Sequence, residues 1–204
     1  MLHYLVFLGA AVSLFGTFSY IRDTLKGITK PNRVSWLLWS ITPLIGAAAA
    51  FADGIRWAAL PIFMAGFGPI LVFIASFVNK NSYWKLGKHD YICGVLSVLA
   101  LVLWGITNNP TLAIIFAIAG DAFAAIPTLQ KSWTHPETES GIVYVTALFN
   151  VMTSFAAMKI WSLSEIAFPI YLIFINISLL FAVYRKKYIL KSWNNKSHTN
   201  HTIS

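Results

Sequence analysis

Asp121 is where the chemistry of this chain would start. It stands near the centre of an apolar stretch, Ala113–Pro127 (AIIFAIAGDAFAAIP). A charge in hydrocarbon costs about 2.5–3.5 kcal/mol on insertion scales, so Asp121 must find a proton, a polar partner or a water-filled cavity. A carboxyl held this way suits a proton carrier, which makes Asp121 the expected proton-coupling residue. Asn150 and Asn176 stand at similar depth in two later apolar segments, so three helices each offer one polar group. Amides at mid-depth hydrogen-bond hydroxyl or carboxylate groups of a solute, or join helices for about 0.6 kcal/mol each. Thr153 and Ser154 extend the Asn150 face. Trp36 and Trp39 are spaced i, i+3 and share a helix face. With Thr42 and Pro43 one turn deeper, they are placed to wall a pocket and stack on a ring, although Trp36 also stands where aromatic belts are common. The candidate substrate-binding set is Asp121, Asn150, Asn176, Trp39, Thr42 and Thr153.

Such a set needs helices that cross a bilayer, and the composition predicts them. Of 204 residues, 57% are hydrophobic and 11% are charged, about half the charge of a soluble domain. Mean hydropathy is +0.68. The apolar residues come in long runs, which excludes the ~10-residue alternation of a β-barrel. Seven segments are predicted, at 2–21, 34–52, 57–78, 91–107, 111–129, 141–158 and 166–184. Each is long enough, at ~1.5 Å per residue, to cross a ~30 Å core. The expected class is an all-α polytopic membrane protein. The first segment lacks the basic flank and small-residue cleavage site of a signal peptide, so it counts as a helix. A lone Cys93 excludes an intramolecular disulfide.

Charge fixes the expected topology. Thirteen Lys and Arg residues fall in alternate loops and the C-terminal tail, and only Arg56 and Lys159 on the other side. The positive-inside rule then places the N-terminus outside and the C-terminus in the cytosol of a cell inner or plasma membrane. The net charge of +8 is explained by topology and by anionic lipid headgroups, so no nucleic-acid partner is expected. Residues 186–204 read as a disordered cytosolic tail. Its His198 and His201 have no further ligand nearby, so no metal and no cofactor are expected. Its sequons at Asn195 and Asn200 would face the cytosol.

The loop after the fifth segment reads Lys131-x-x-Thr134-x-Pro136. The same pattern stands 105 residues earlier as Lys26-x-x-Thr29-x-Pro31, and Ser35 and Ser140 keep the spacing. This offset maps segments 1 and 2 onto 5 and 6. With three extra residues it maps Pro61-Ile62-Phe63 of segment 3 onto Pro169-Ile170-Tyr171 of segment 7. The expected internal repeat is 3+1+3: a first triplet over 1–78, a linker with helix 4 over 79–110, and a second triplet over 111–185. An odd linker makes the triplets parallel, with a site expected at mid-depth between them. Gly16 stands at the position that matches Asp121. Gly9, Ser13 and Thr17, and likewise Gly46 and Ala50, have the i, i+4 spacing of small residues at close helix contacts. Pro61, Pro69 and Pro169 mark bend points. Trp57 and Trp161 read as belt residues. Arg22 and Asp23 are placed either on a solvated surface or as a gate pair with Glu137 and Glu139.

This plan resembles the SWEET and PQ-loop superfamily of small transporters, over residues 1–185. Part of the Pro-Gln signature stands at Ile126-Pro127-Thr128-Leu129-Gln130, with the glutamine displaced by two positions and Arg22 in place of the first proline. The resemblance implies hinge prolines, of which Pro43 and Pro127 fill two places, while Arg22 and Leu148 occupy the others. It also implies an asparagine against the substrate on helices 3 and 7; Asn176 fits the second, and Gly68 stands at the first. The vitamin transporters of the PnuC type share the seven-helix plan as a second choice.

The expected function is a secondary transporter or facilitator that moves a small polar solute by alternating access, with protons coupled through Asp121. One chain holds both triplets, so a monomer is sufficient, and an oligomer is left open. An enzyme is not expected: Gly-x-Ser-x-Gly, His-Glu-x-x-His and P-loop patterns are missing from the sequence. The rival class is a membrane receptor or sorting protein of the same fold, similar to the KDEL receptors. It would need a basic luminal cavity, for which the sequence offers only Arg56 and Lys159.

Overall fold

A computed structural model describes residues 5–52, 60–107, 109–157 and 163–200, with side chains on most of them up to Arg185. Among these, seven helices and no strand are found: α1 Leu5–Leu25, α2 Arg33–Ala52, α3 Leu60–Ala75, α4 Lys88–Ile106, α5 Pro110–Thr134, α6 Ile142–Ala157 and α7 Leu163–Asn200. Four of them, α1, α4, α5 and α7, contain stretches long and apolar enough to cross a membrane; the apolar stretches of α3 and α6 are shorter. The side chains sort as a membrane would require. Large apolar groups such as Phe15, Phe174 and Phe181 point outward, while Ser13, Thr17, Ser40 and Thr146 are buried. Arg56, Trp57, Lys159 and Trp161 lie outside the described residues, as does the packing around Gly46, Ala50 and Pro61.

Local chemistry sets the helix ends. After α1 the chain turns at Gly27, whose φ of 79° suits glycine. The Asn32 carbonyl oxygen caps α2 by accepting from the amides of Val34 (3.1 Å) and Ser35 (3.3 Å). Its amide nitrogen donates to Asp90 at 2.7 Å. Asp90 in turn caps α4 by accepting from the Gly87 amide at 2.6 Å, so one carboxylate fastens the starts of α2 and α4. Asn109 caps α5, followed by Pro110 at the first helical position.

Packing follows a simple pattern. In the N-terminal half α3 packs against both α1 and α2, and in the C-terminal half α7 packs against both α5 and α6. The halves meet along α1 against α6 and α2 against α5, while α4 lies on α5 and α2. The α1–α6 contact is close because glycines face polar side chains. Gly9 faces Asn150 and Thr153, and Gly16 faces Thr146. Gly9, Ser13 and Thr17 are all buried, as the small-residue spacing predicts. A Cβ added at Gly16 would lie 2.7 Å from the Thr146 Cβ. Gly16→Val is therefore expected to destabilise the protein by about 1–3 kcal/mol through overpacking. Thermal unfolding in detergent checks this against Gly105→Ala, where an added Cβ meets nothing within 4 Å.

Two expectations are corrected. The fifth helix does not stop at residue 129 but runs to Thr134, which brings Lys131 into the helix. Trp36 is no belt residue: it is 3% exposed and packs in the core against Tyr20, ring centroids 4.8 Å apart. The last helix, α7, continues past its apolar part to Asn200. Extending a helix already nucleated by its apolar part costs far less than starting one.

Candidate functional site

Two polar assemblies occupy the interior. The first is built on α5 and α7. Asp121, near the middle of α5, is 7% exposed, and its Oδ2 accepts a hydrogen bond from the Tyr171 hydroxyl of α7 at 2.7 Å. Among the described residues no cation pairs with it. Tyr171 was legible in the repeat alignment only as the position matching Phe63. Neither the carboxylate nor its phenol has a counterpart in the N-terminal half, where Gly16 and Phe63 stand.

Among the described contacts, none joins the other predicted residues to this pair. On α6, Thr153 and Asn150 lie together and face Gly9 of α1. The Thr153 hydroxyl donates to the Asn150 main-chain oxygen at 2.7 Å. The Asn150 Oδ1 is buried and has no hydrogen-bond partner, which leaves an acceptor at the seam between the halves. Asn176 is buried and donates to the Leu172 carbonyl of its own helix at 2.8 Å. On α2, Trp39 stacks edge-on against Trp36 with ring centroids 5.5 Å apart. Thr42 and Pro43 are buried one turn on. Pro127 is buried within α5 and lines an open cleft of about 630 Å³ with Trp84, Lys85, His89 and Gln130.

The second assembly was not anticipated. At the α5 end that carries Lys131, the Lys131 ammonium pairs with the Glu139 carboxylate at 2.5 Å, with the two side chains 1% and 0% exposed. Glu139 Oε2 accepts hydrogen bonds from the hydroxyls of Tyr20 (2.9 Å) and Tyr144 (3.1 Å). Lys131 also donates to the Lys30 carbonyl oxygen and lies 5.3 Å from the Trp84 ring centroid. Beside it, the Lys30 amide donates to the Thr138 carbonyl at 3.0 Å. One ion pair thus ties α1, the α1–α2 loop, α5, the α5–α6 loop and α6. Of the acids considered as gate partners, Glu139 is the one buried, and its cation is Lys131; Arg22 and Glu137 are exposed. The matching lysine of the first half, Lys26, is exposed.

The two assemblies offer different chemistry. Asp121 with Tyr171 is a buried carboxyl with a hydroxyl donor to steady it. Lys131 with Glu139 is a charge pair that closes one end of the seam. No family model matches this chain, and no curated protein or solved structure shows significant similarity to it.

Proposed function

We propose that this chain is a secondary transporter of the SWEET and PQ-loop type, moving a small polar solute by alternating access with Asp121 as the proton-coupling group. The observation that carries the reading is Asp121 itself, a buried carboxylate in the middle of a candidate membrane span, held by one phenol. Intramembrane ionisable groups are costly, and the default reading of one is a solute or proton pathway. The packing supports a 3+1+3 plan. Exchanging α1 with α5, α2 with α6 and α3 with α7 leaves the main neighbour pairs of the two triplets unchanged. Such parallel repeats place a solute site at their interface, where Asn150 offers an unpaired acceptor. Asp121, Asn150 and Thr153 contact the solute in this reading, with Asn176, Trp39 and Thr42 completing its surroundings. Pro43 and Pro127 let the halves bend. The basic end is cytosolic, and the Lys131–Glu139 network holds it shut, so this conformation is closed toward the cytosol.

The test is uptake into proteoliposomes under an imposed pH gradient, with an internal pH dye and a panel of sugars, amino acids, organic acids and vitamins. A solute whose entry carries protons is expected. A panel in which no solute enters faster than into empty vesicles counts against the reading.

A further inference from the structure

One face of α5 carries Asp121, Ala124, Ala125, Thr128 and Ser132, spaced for a single helical stripe, and all five are buried. The Thr128 and Ser132 hydroxyls, one turn apart, have no hydrogen-bond partner among the described residues. Ser35 Oγ is in the same condition on α2, the helix that meets α5 from the other half. Buried polar groups are as a rule hydrogen-bonded, and water satisfies those that protein does not. Three such groups on two helices that pack together mark a place built for mobile hydrogen bonds. Their position is specific: along α5, Thr128 stands between Asp121 and Lys131, and Ser132 follows Lys131 by one residue toward the end of the helix.

Resting on the reading of Asp121 as a coupling carboxyl, we propose that this face is the route by which protons pass between Asp121 and the cytosolic end, with the Thr128 and Ser132 hydroxyls as relays bridged by water. A hydroxyl both donates and accepts. Each relay takes a proton on its oxygen, passes its own onward, and rotates back, so only Asp121 changes its protonation. Asp121 and Thr128 are seven residues apart, roughly 10 Å along the axis. Ala124 and Ala125 fill little of that interval. Pro127 lacks an N–H, so it frees the Phe123 carbonyl as an acceptor within the interval. The titratable groups around the stripe are Tyr171 of α7 at Asp121, and Lys131, Glu139, Tyr20 and Tyr144 at its cytosolic end. On α4 they are Cys93, His89 and Asp90, and α2 carries none after Arg33.

The test follows the Asp121 proton directly. In oriented proteoliposomes, the infrared band of a protonated carboxyl, identified by its loss in Asp121→Asn, is followed after a pH jump on either side. Thr128→Val with Ser132→Ala is expected to slow the response to a cytosolic jump by roughly tenfold or more. The response to a jump on the opposite side keeps its rate, which shows the fold is intact, and Thr128→Ser preserves the cytosolic rate. An unchanged cytosolic rate in the double variant overturns the proposal, as does a carboxyl band that responds to neither jump. A slowed response in a protein that moves no solute leaves the route standing and removes the transporter reading, so the two failures are distinct.

Discussion

Lys131→Met is expected to be among the most damaging single substitutions in this chain, costing about 3–5 kcal/mol of stability. The cause is the charge left behind. Glu139 is fully buried, and without the ammonium its carboxylate keeps only the hydroxyls of Tyr20 and Tyr144. Glu139→Gln with Lys131→Met removes both charges and is expected to recover much of the loss, because a neutral pair carries no uncompensated charge. A double-mutant cycle read by thermal unfolding in detergent isolates the coupling. If Lys131→Met costs under about 1 kcal/mol, the pair behaves as an exposed one and cannot hold the halves together. In the transporter reading the same substitution also favours the cytosol-open state, since the ion pair joins elements of both halves.

Asp121→Asn is expected to abolish proton movement accompanying solute entry, since an amide neither gains nor loses a proton in the accessible pH range. The shape of the site is kept, because Tyr171 still finds an oxygen to donate to. Uptake driven by a pH gradient should fall by ~10²-fold or more, while exchange of solute without a gradient survives. Tyr171→Phe removes the 2.7 Å hydrogen bond but not the carboxyl, so coupling persists with a changed pH profile. If Asp121→Asn leaves proton entry intact, the carboxylate only joins α5 to α7.

How much of this was legible in the sequence depended on the signal. Seven helices could be read because apolar runs of this length leave few alternatives, and a close-packing face on α1 because small residues at i, i+4 have one common use; that α6 is what packs there was not legible. Asp121 stood out by cost alone. Its partner did not: Tyr171 counts as an aromatic residue in any hydropathy reading, and only the tertiary fold says where its hydroxyl goes. Lys131 was misplaced for a related reason. A lysine near a helix end is normally a loop charge, and counting it toward topology hides the case in which the helix continues and buries it. Asn150 and Asn176 illustrate the limit of composition. Both are buried, yet one side chain bonds within its own helix and the other leaves its oxygen unpaired at the seam.

The central claim is that a solute passes between two halves that move against each other at the Lys131 end. The direct measurement is uptake by a Lys30→Cys, Glu137→Cys variant, in a Cys93→Ser background, bridged by a short cleavable cross-linker. Lys30 and the neighbour of Glu137, Thr138, are joined by a backbone hydrogen bond of 3.0 Å, so the bridge fastens the two loops in the observed conformation. The account predicts that bridging stops uptake and that cleaving the bridge restores it. Uptake that continues at the same rate with the loops bridged would contradict it.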